Sequence, residues 1–137
     1  MLTSVKFSIP FRQGVFREFK LFVISVLIEN GDRSLYMPMI VDTAASYVTI
    51  RPDVFRELGI APIRTAPLVT ASARTEAPIG QVDKVTVGSS CAATNVQVIA
   101  IPLPRDLPAE GLLGASFLKH FQVALDYHEP RFEVIKK

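Results

Sequence analysis

The sequence predicts an all-β fold: a closed or partly open β-barrel with one or two short helices. Two observations predict it. Short runs rich in Val, Ile, Phe and Thr recur along the chain, separated by Gly, Pro, Asn and Asp. Helical spacing is confined to two short segments, and there is no repeat, low-complexity tract or linker.

The elements follow in order. Val5, Phe7 and Ile9 alternate with Lys6 and Ser8, a half-buried strand that Pro10 ends. Phe16 to Glu29 is a second strand rich in Phe, Val and Ile, and Asn30-Gly31 is a hairpin turn signal. Leu35 to Val41 returns as the next strand, and Tyr47 to Ile50 is a short β-branched run. Pro52 to Leu58 predicts a helix: Pro suits its first turn, Asp53 its positive end, and Gly59 stops it. Leu68 to Ala73 and Ala77 to Val87 predict two strands around a polar tip from Ser72 to Glu76. Asn95 to Ile101 is another strand, and Pro102, Pro104 and Pro108 stiffen the loop after it. Ala115 to Phe121 predicts a short helix; Val123 to Tyr127 and Arg131 to Ile135 are strands joined by a turn at His128-Glu129-Pro130.

Composition narrows the function classes. A chain of 137 residues, 49% apolar and 20% charged, is expected to form one globular domain spanning residues 1–137. Fifteen basic and thirteen acidic residues leave a net charge of +2, too small and too scattered for a nucleic-acid partner. The longest apolar stretch, Leu21 to Ile28, is far short of the ~20 residues of a membrane span, so no membrane partner is expected. Charged residues near the start and the lack of an apolar leader argue against a signal peptide. One cysteine, Cys91, fits a reducing compartment, and the expected location is cytoplasmic.

The chemistry concentrates at Met39-Ile40-Val41-Asp42-Thr43-Ala44-Ala45-Ser46, which sets one carboxylate at the end of an apolar run. There, burial and a like-charged neighbour can tune an acid or base. Small residues from Thr43 to Ser46 let the backbone turn tightly beside a substrate. Asp32, Asp53, Asp83, Asp106 and Asp126 lack that context. Other candidates are weaker: Ser116 and His120 could share a helix face but have no acidic orienter, and Cys91 reads as an incidental turn residue. His120, His128 and Cys91 lack a metal-ligand spacing, and no phosphate-binding loop occurs.

The Asp42-Thr43-Ala44-Ala45-Ser46 loop, with the later Gly111-Leu112-Leu113-Gly114-Ala115-Ser116-Phe117-Leu118, resembles the retroviral-type (retropepsin-like) aspartic peptidase family. The departure is Ala44, where the family usually has Gly. The resemblance implies an acid-protease barrel and a homodimer in which Asp42 and its symmetry mate are the catalytic pair, with no metal or cofactor. It implies that Thr43 bonds across the site, that Ser46 supports the loop, and that Gly114 allows close approach behind Asp42. Leu68 to Val87 would be the substrate-binding flap with Ser72, Ala73 and Arg74 at its tip, a tip that lacks glycine. The partner would be a peptide or protein substrate, and the termini of two subunits would interleave into a sheet. A non-catalytic dimerisation or peptide-binding module on the same fold is the alternative, favoured by the extra methyl of Ala44.

Overall fold

The computed structural model describes residues 4–69 and 71–136; Thr70, in the expected flap, lies outside them. The fold is mostly β, as the sequence predicts, with three short helices among the described residues rather than one or two.

The barrel is built from β2 (Val23–Asn30), β3 (Arg33–Val41), β8 (Gly111–Leu113), β4 (Val48–Ile50), β7 (Cys91–Ala100) and β6 (Arg74–Val87), in that spatial order. It closes because β6 also pairs with β2, from Val26↔Val87 to Glu29↔Lys84. Val26, Ile28, Ile50, Val82, Val85, Val98 and Leu113 fill it with no exposure or almost none. Closure leaves the barrel no free edge of its own. β5 (Arg64–Val69) hangs on the outer part of β6 as a two-stranded ribbon.

The extra helix is α1 (Gln13–Phe19), where the sequence predicts strand from Phe16. Strand parity would put Glu18 and Lys20 on the same face as Phe16. The helix buries Phe16 alone and leaves both charged residues in water. Phe16 packs 4.8 Å from Phe22 and 5.8 Å from Phe11, ring centroid to ring centroid. That aromatic packing overrides the β propensity of the segment.

α2 (Pro52–Glu57) forms as its Pro and buried Phe55 predict. α3 (Ala115–Leu118) stops three residues short of its expected end. The ribbon also departs from expectation: β6 runs unbroken from Arg74, and Val69 pairs with Arg74. Thr75 and Glu76 look like turn residues because the ribbon stands in solvent, where both faces can be polar. Cys91 is no turn residue; it begins β7 opposite Val87 and is buried, which pushes its thiol pKa up and makes it inert.

Beneath the barrel lies a separate three-stranded sheet: β1 (Val5–Ser8), β10 (Arg131–Lys136) and β9 (Gln122–Asp126), with β10 in the middle. Phe132 and Val134 of β10 enter the barrel core. The β9–β10 turn is fastened by Asp126. Its Oδ1 accepts from the amides of His128 and Glu129, both at 3.0 Å, and its Oδ2 from Arg131 at 3.1 Å. These bonds, the Glu129 amide first, hold its pKa below the usual carboxylate range. A depressed folded-state pKa stabilises the hairpin above the unfolded-state value, and this is lost as pH falls through the folded-state value. Asp126→Ala is therefore expected to lower the thermal midpoint at pH 7 and to match wild type near pH 2. Unfolding curves at the two pH values check this.

Candidate active site

β3 carries the chain to Asp42 as a paired strand: Ile40 stands beside Leu112 and Val41 beside Leu113. The Asp42 amide then donates to the Leu113 carbonyl at 3.0 Å, and the Val41 amide to Phe22 at 2.9 Å. The aspartate is thus fixed on both sides at the first residue beyond the strand. Its side chain is only partly buried, and the Ala44 amide donates to its Oδ1 at 3.0 Å.

The loop is held from behind by β8 and α3. Ala115 N donates to Ala45 O at 2.8 Å and Ser116 N to Ser46 O at 3.0 Å. A Cβ on Gly114 would lie 2.3 Å from the Tyr47 carbonyl oxygen and 2.6 Å from that of Ala45. Only glycine permits this approach.

Among the residues singled out beforehand, Asp42, Thr43, Ala44, Ser46 and Gly114 meet in one place. Ser46 contributes through its backbone carbonyl; its side chain is exposed. Thr43 is exposed and has no side-chain hydrogen bond among the described residues. Ala44 is exposed and does not have a positive φ, so its backbone does not demand glycine. In the ribbon, Ser72 and Ala73 lie at the tip, whereas Arg74 is the first residue of β6 rather than part of the tip.

The role that sequence reasoning missed is that of Ser116. Its buried Oγ accepts from Val48 N at 2.8 Å and donates to Gln97 O at 2.7 Å, tying α3 to β4 and β7. Both bonds commit the hydroxyl to backbone, and His120 lies beyond α3 on the surface, so the two form no dyad. No local signal marks this role, because both partners are distant in sequence.

Two small apolar clusters include residues near the aspartate in sequence: Val23, Ile40 and Ala109 pack with Leu107 and Leu112, and Tyr47 packs with Ile79, Ile99 and Leu68. Arg64, at the root of the ribbon, donates to Tyr47 Oη at 3.0 Å and Gln97 Oε1 at 2.8 Å, linking ribbon to loop. A cleft of about 260 Å³ opens there between Ser46, Tyr47, Gln97 and Lys119. A larger cleft, about 1200 Å³, lies by Arg12, Arg51, Arg105 and the Pro-rich loop and does not include Asp42. Among the described residues no group of three or more His, Cys, Asp or Glu could hold a metal ion. Nor is any helix among them long and apolar enough to cross a membrane.

The family profile described as aspartyl protease matches residues 24–117, from β2 through Asp42 into α3. Among solved structures the chain is similar to a retropepsin-like aspartic protease from Rickettsia conorii, with a TM-score of 0.68 and 19% identity. The likeness covers 98% of this chain and 92% of that one, and it is a likeness of fold. No curated protein sequence matches.

Proposed function

The chain belongs to the aspartyl protease family, and from that premise we propose that it is a homodimeric aspartic endopeptidase whose catalytic pair is Asp42 and its symmetry mate. The observation that carries this reading is the Asp42 loop itself: a partly exposed carboxylate on a backbone clamped by Gly114 and Leu113. Such a group is rigid in position yet open to a partner, and the sequence contains one loop of this kind.

Hydrolysis needs a base and an acid together. Two carboxylates ~3 Å apart cannot both ionise, so they share one proton. The ionised member takes a proton from water as its oxygen attacks the peptide carbon, and the protonated member gives its proton to the carbonyl oxygen. The tetrahedral diol then collapses: one of its hydroxyls returns a proton to the carboxylate that had given one, the C–N bond breaks, and the leaving nitrogen takes up the proton that water gave. Thr43, exposed and without a side-chain hydrogen bond among the described residues, would bond across the two-fold axis. The ribbon of β5 and β6 would close as a flap, pairing with an extended substrate through main-chain bonds. The apolar clusters that include Ile40 and Tyr47 suit apolar side chains flanking the scissile bond. With its single, buried cysteine the protein would work in the cytoplasm.

Hydrolysis of a denatured protein mixture between mildly acidic and neutral pH, blocked by a pepstatin-type inhibitor, tests the reading. Absence of inhibitable cleavage at micromolar enzyme contradicts it. The extra methyl at Ala44 favours a non-catalytic module only if it crowds the site, and within the subunit it stands in the open. Ala44→Gly is therefore expected to change kcat/KM by no more than about twofold, as an exposed substitution worth ~0.5 kcal/mol would. Activity that is absent in wild type and appears in Ala44→Gly would reverse that conclusion.

A further inference from the structure

We propose that the small cleft beside the Asp42 loop is a specificity site for a carboxylate side chain of the substrate, read by Arg64 and Lys119. The inference rests on the peptidase reading above and names its substrate class: extended peptides that carry Asp or Glu a few residues from the scissile bond.

The chemistry of the cleft is one-sided. Arg64 Nη2 donates to Tyr47 Oη at 3.0 Å and to Gln97 Oε1 at 2.8 Å. Each bond engages an acceptor and leaves a donor free: the Tyr47 hydroxyl proton, the Gln97 amide N–H groups and the other N–H groups of the guanidinium. Lys119, exposed in the cleft wall, adds an ammonium that has no side-chain hydrogen bond among the described residues. None of the residues lining the cleft is acidic. The ion pairs among the described residues all belong to Arg131, so neither Arg64 nor Lys119 has a counter-ion there. Two unpaired cations with neutral donors between them suit an anion. A volume of about 260 Å³ gives room for one side chain and falls short of a small-molecule pocket.

Its position makes the ligand part of the substrate. Ser46 and Tyr47, in the cleft wall, lie on the loop that begins at Asp42. The chain from Asp42 to Ser46 spans at most about 15 Å. An extended peptide covers that distance in about five residues. Arg64 comes from β5, at the root of the ribbon, so the cleft opens where ribbon meets floor and a peptide held between them would leave the site. The guanidinium also stacks over the Tyr47 ring, 5.8 Å from its centroid. That contact and the two hydrogen bonds hold it in place before a ligand arrives, which lowers the cost of ordering it on binding. In a homodimer the cleft occurs twice, so a peptide acidic on both flanks of the scissile bond would fill both copies.

The test is a set of apolar peptides with Glu or Gln placed in turn at each position within that reach of the scissile bond, assayed at about pH 6.5, where a Glu side chain is ionised. Wild-type kcat/KM is expected to be about fivefold or more higher for Glu than for Gln at one of these positions, and the ratio should shrink as salt is added. Arg64→Met and Lys119→Met should each bring the ratio toward one, and Arg64→Lys should keep part of it. An arginine that merely latched the ribbon to the floor would lower cleavage of both peptides alike and leave the ratio unmoved. A wild-type ratio of one at every position, or a ratio undiminished in both Met variants, overturns the site. Binding of the fluorescently labelled Glu and Gln peptides to full-length Asp42→Asn, read by anisotropy, separates this inference from the peptidase reading. Tighter binding of the Glu peptide, with a wild type that cleaves nothing, keeps the site and rejects the peptidase. Equal binding of the two peptides rejects the site whatever the activity.

Discussion

Asp42→Asn is expected to lower peptide hydrolysis about a thousandfold or more, the scale on which acid–base groups contribute, with the fold kept. An amide can neither take the proton from water nor share one with its mate. The fold should survive because Asp42 is bound to its surroundings chiefly through backbone: its amide to Leu113 O at 3.0 Å and its carbonyl to Ala45 N at 3.2 Å. The one side-chain bond, from Ala44 N to Oδ1, can be kept by the amide oxygen of asparagine. Turnover and thermal midpoint should therefore separate. Substantial cleavage by a clean Asp42→Asn preparation would remove Asp42 from its assigned role.

Gly114→Ala is expected to be the most damaging conservative change to stability. The new methyl meets two carbonyl oxygens at 2.3 and 2.6 Å, both backbone, so the loop or β8 must move. Overpacking of this kind costs ~3 kcal/mol or more, roughly 10 °C in thermal midpoint for a chain of this size. Because the atoms displaced belong to the Asp42 loop, activity should fall further than stability accounts for. Gly14→Ala is the control: its Cβ meets only the end of Arg17 at 3.8 Å, within α1. Removing a helical glycine should stabilise by ~0.5–1 kcal/mol. Calorimetry on the two variants reads both signs.

The features legible in the sequence were those written in local pattern. The apolar strand ending at Asp42, the small residues after it and the Gly111–Gly114 run each carry their reason within a few residues. What escaped was set by contacts distant in sequence. Helix α1 exists because Phe16 finds Phe11 and Phe22, while its strand propensity points the other way. The ribbon around Thr75 and Glu76 is polar because it leaves the barrel, a fact of topology. The bracing role of Ser116 was not legible because Val48 and Gln97, its partners, are brought to it only by the fold. The terminal sheet was visible as alternating strands, but its order was not: alternation reports which face is buried and says nothing of which strand lies next.

Mixing of subunits tests the shared catalytic pair most directly. Wild-type chain is equilibrated with increasing Asp42→Asn chain, at a total concentration where sedimentation shows dimers, and peptide cleavage is followed per wild-type subunit. A heterodimer holds one ionisable aspartate and cannot form the proton-sharing pair. With a tenfold excess of the variant, random pairing leaves about a tenth of wild-type subunits with a wild-type mate, and activity should fall to about that fraction. Activity per wild-type subunit that stays constant across the titration would contradict the account, because each chain would then be carrying a complete site of its own.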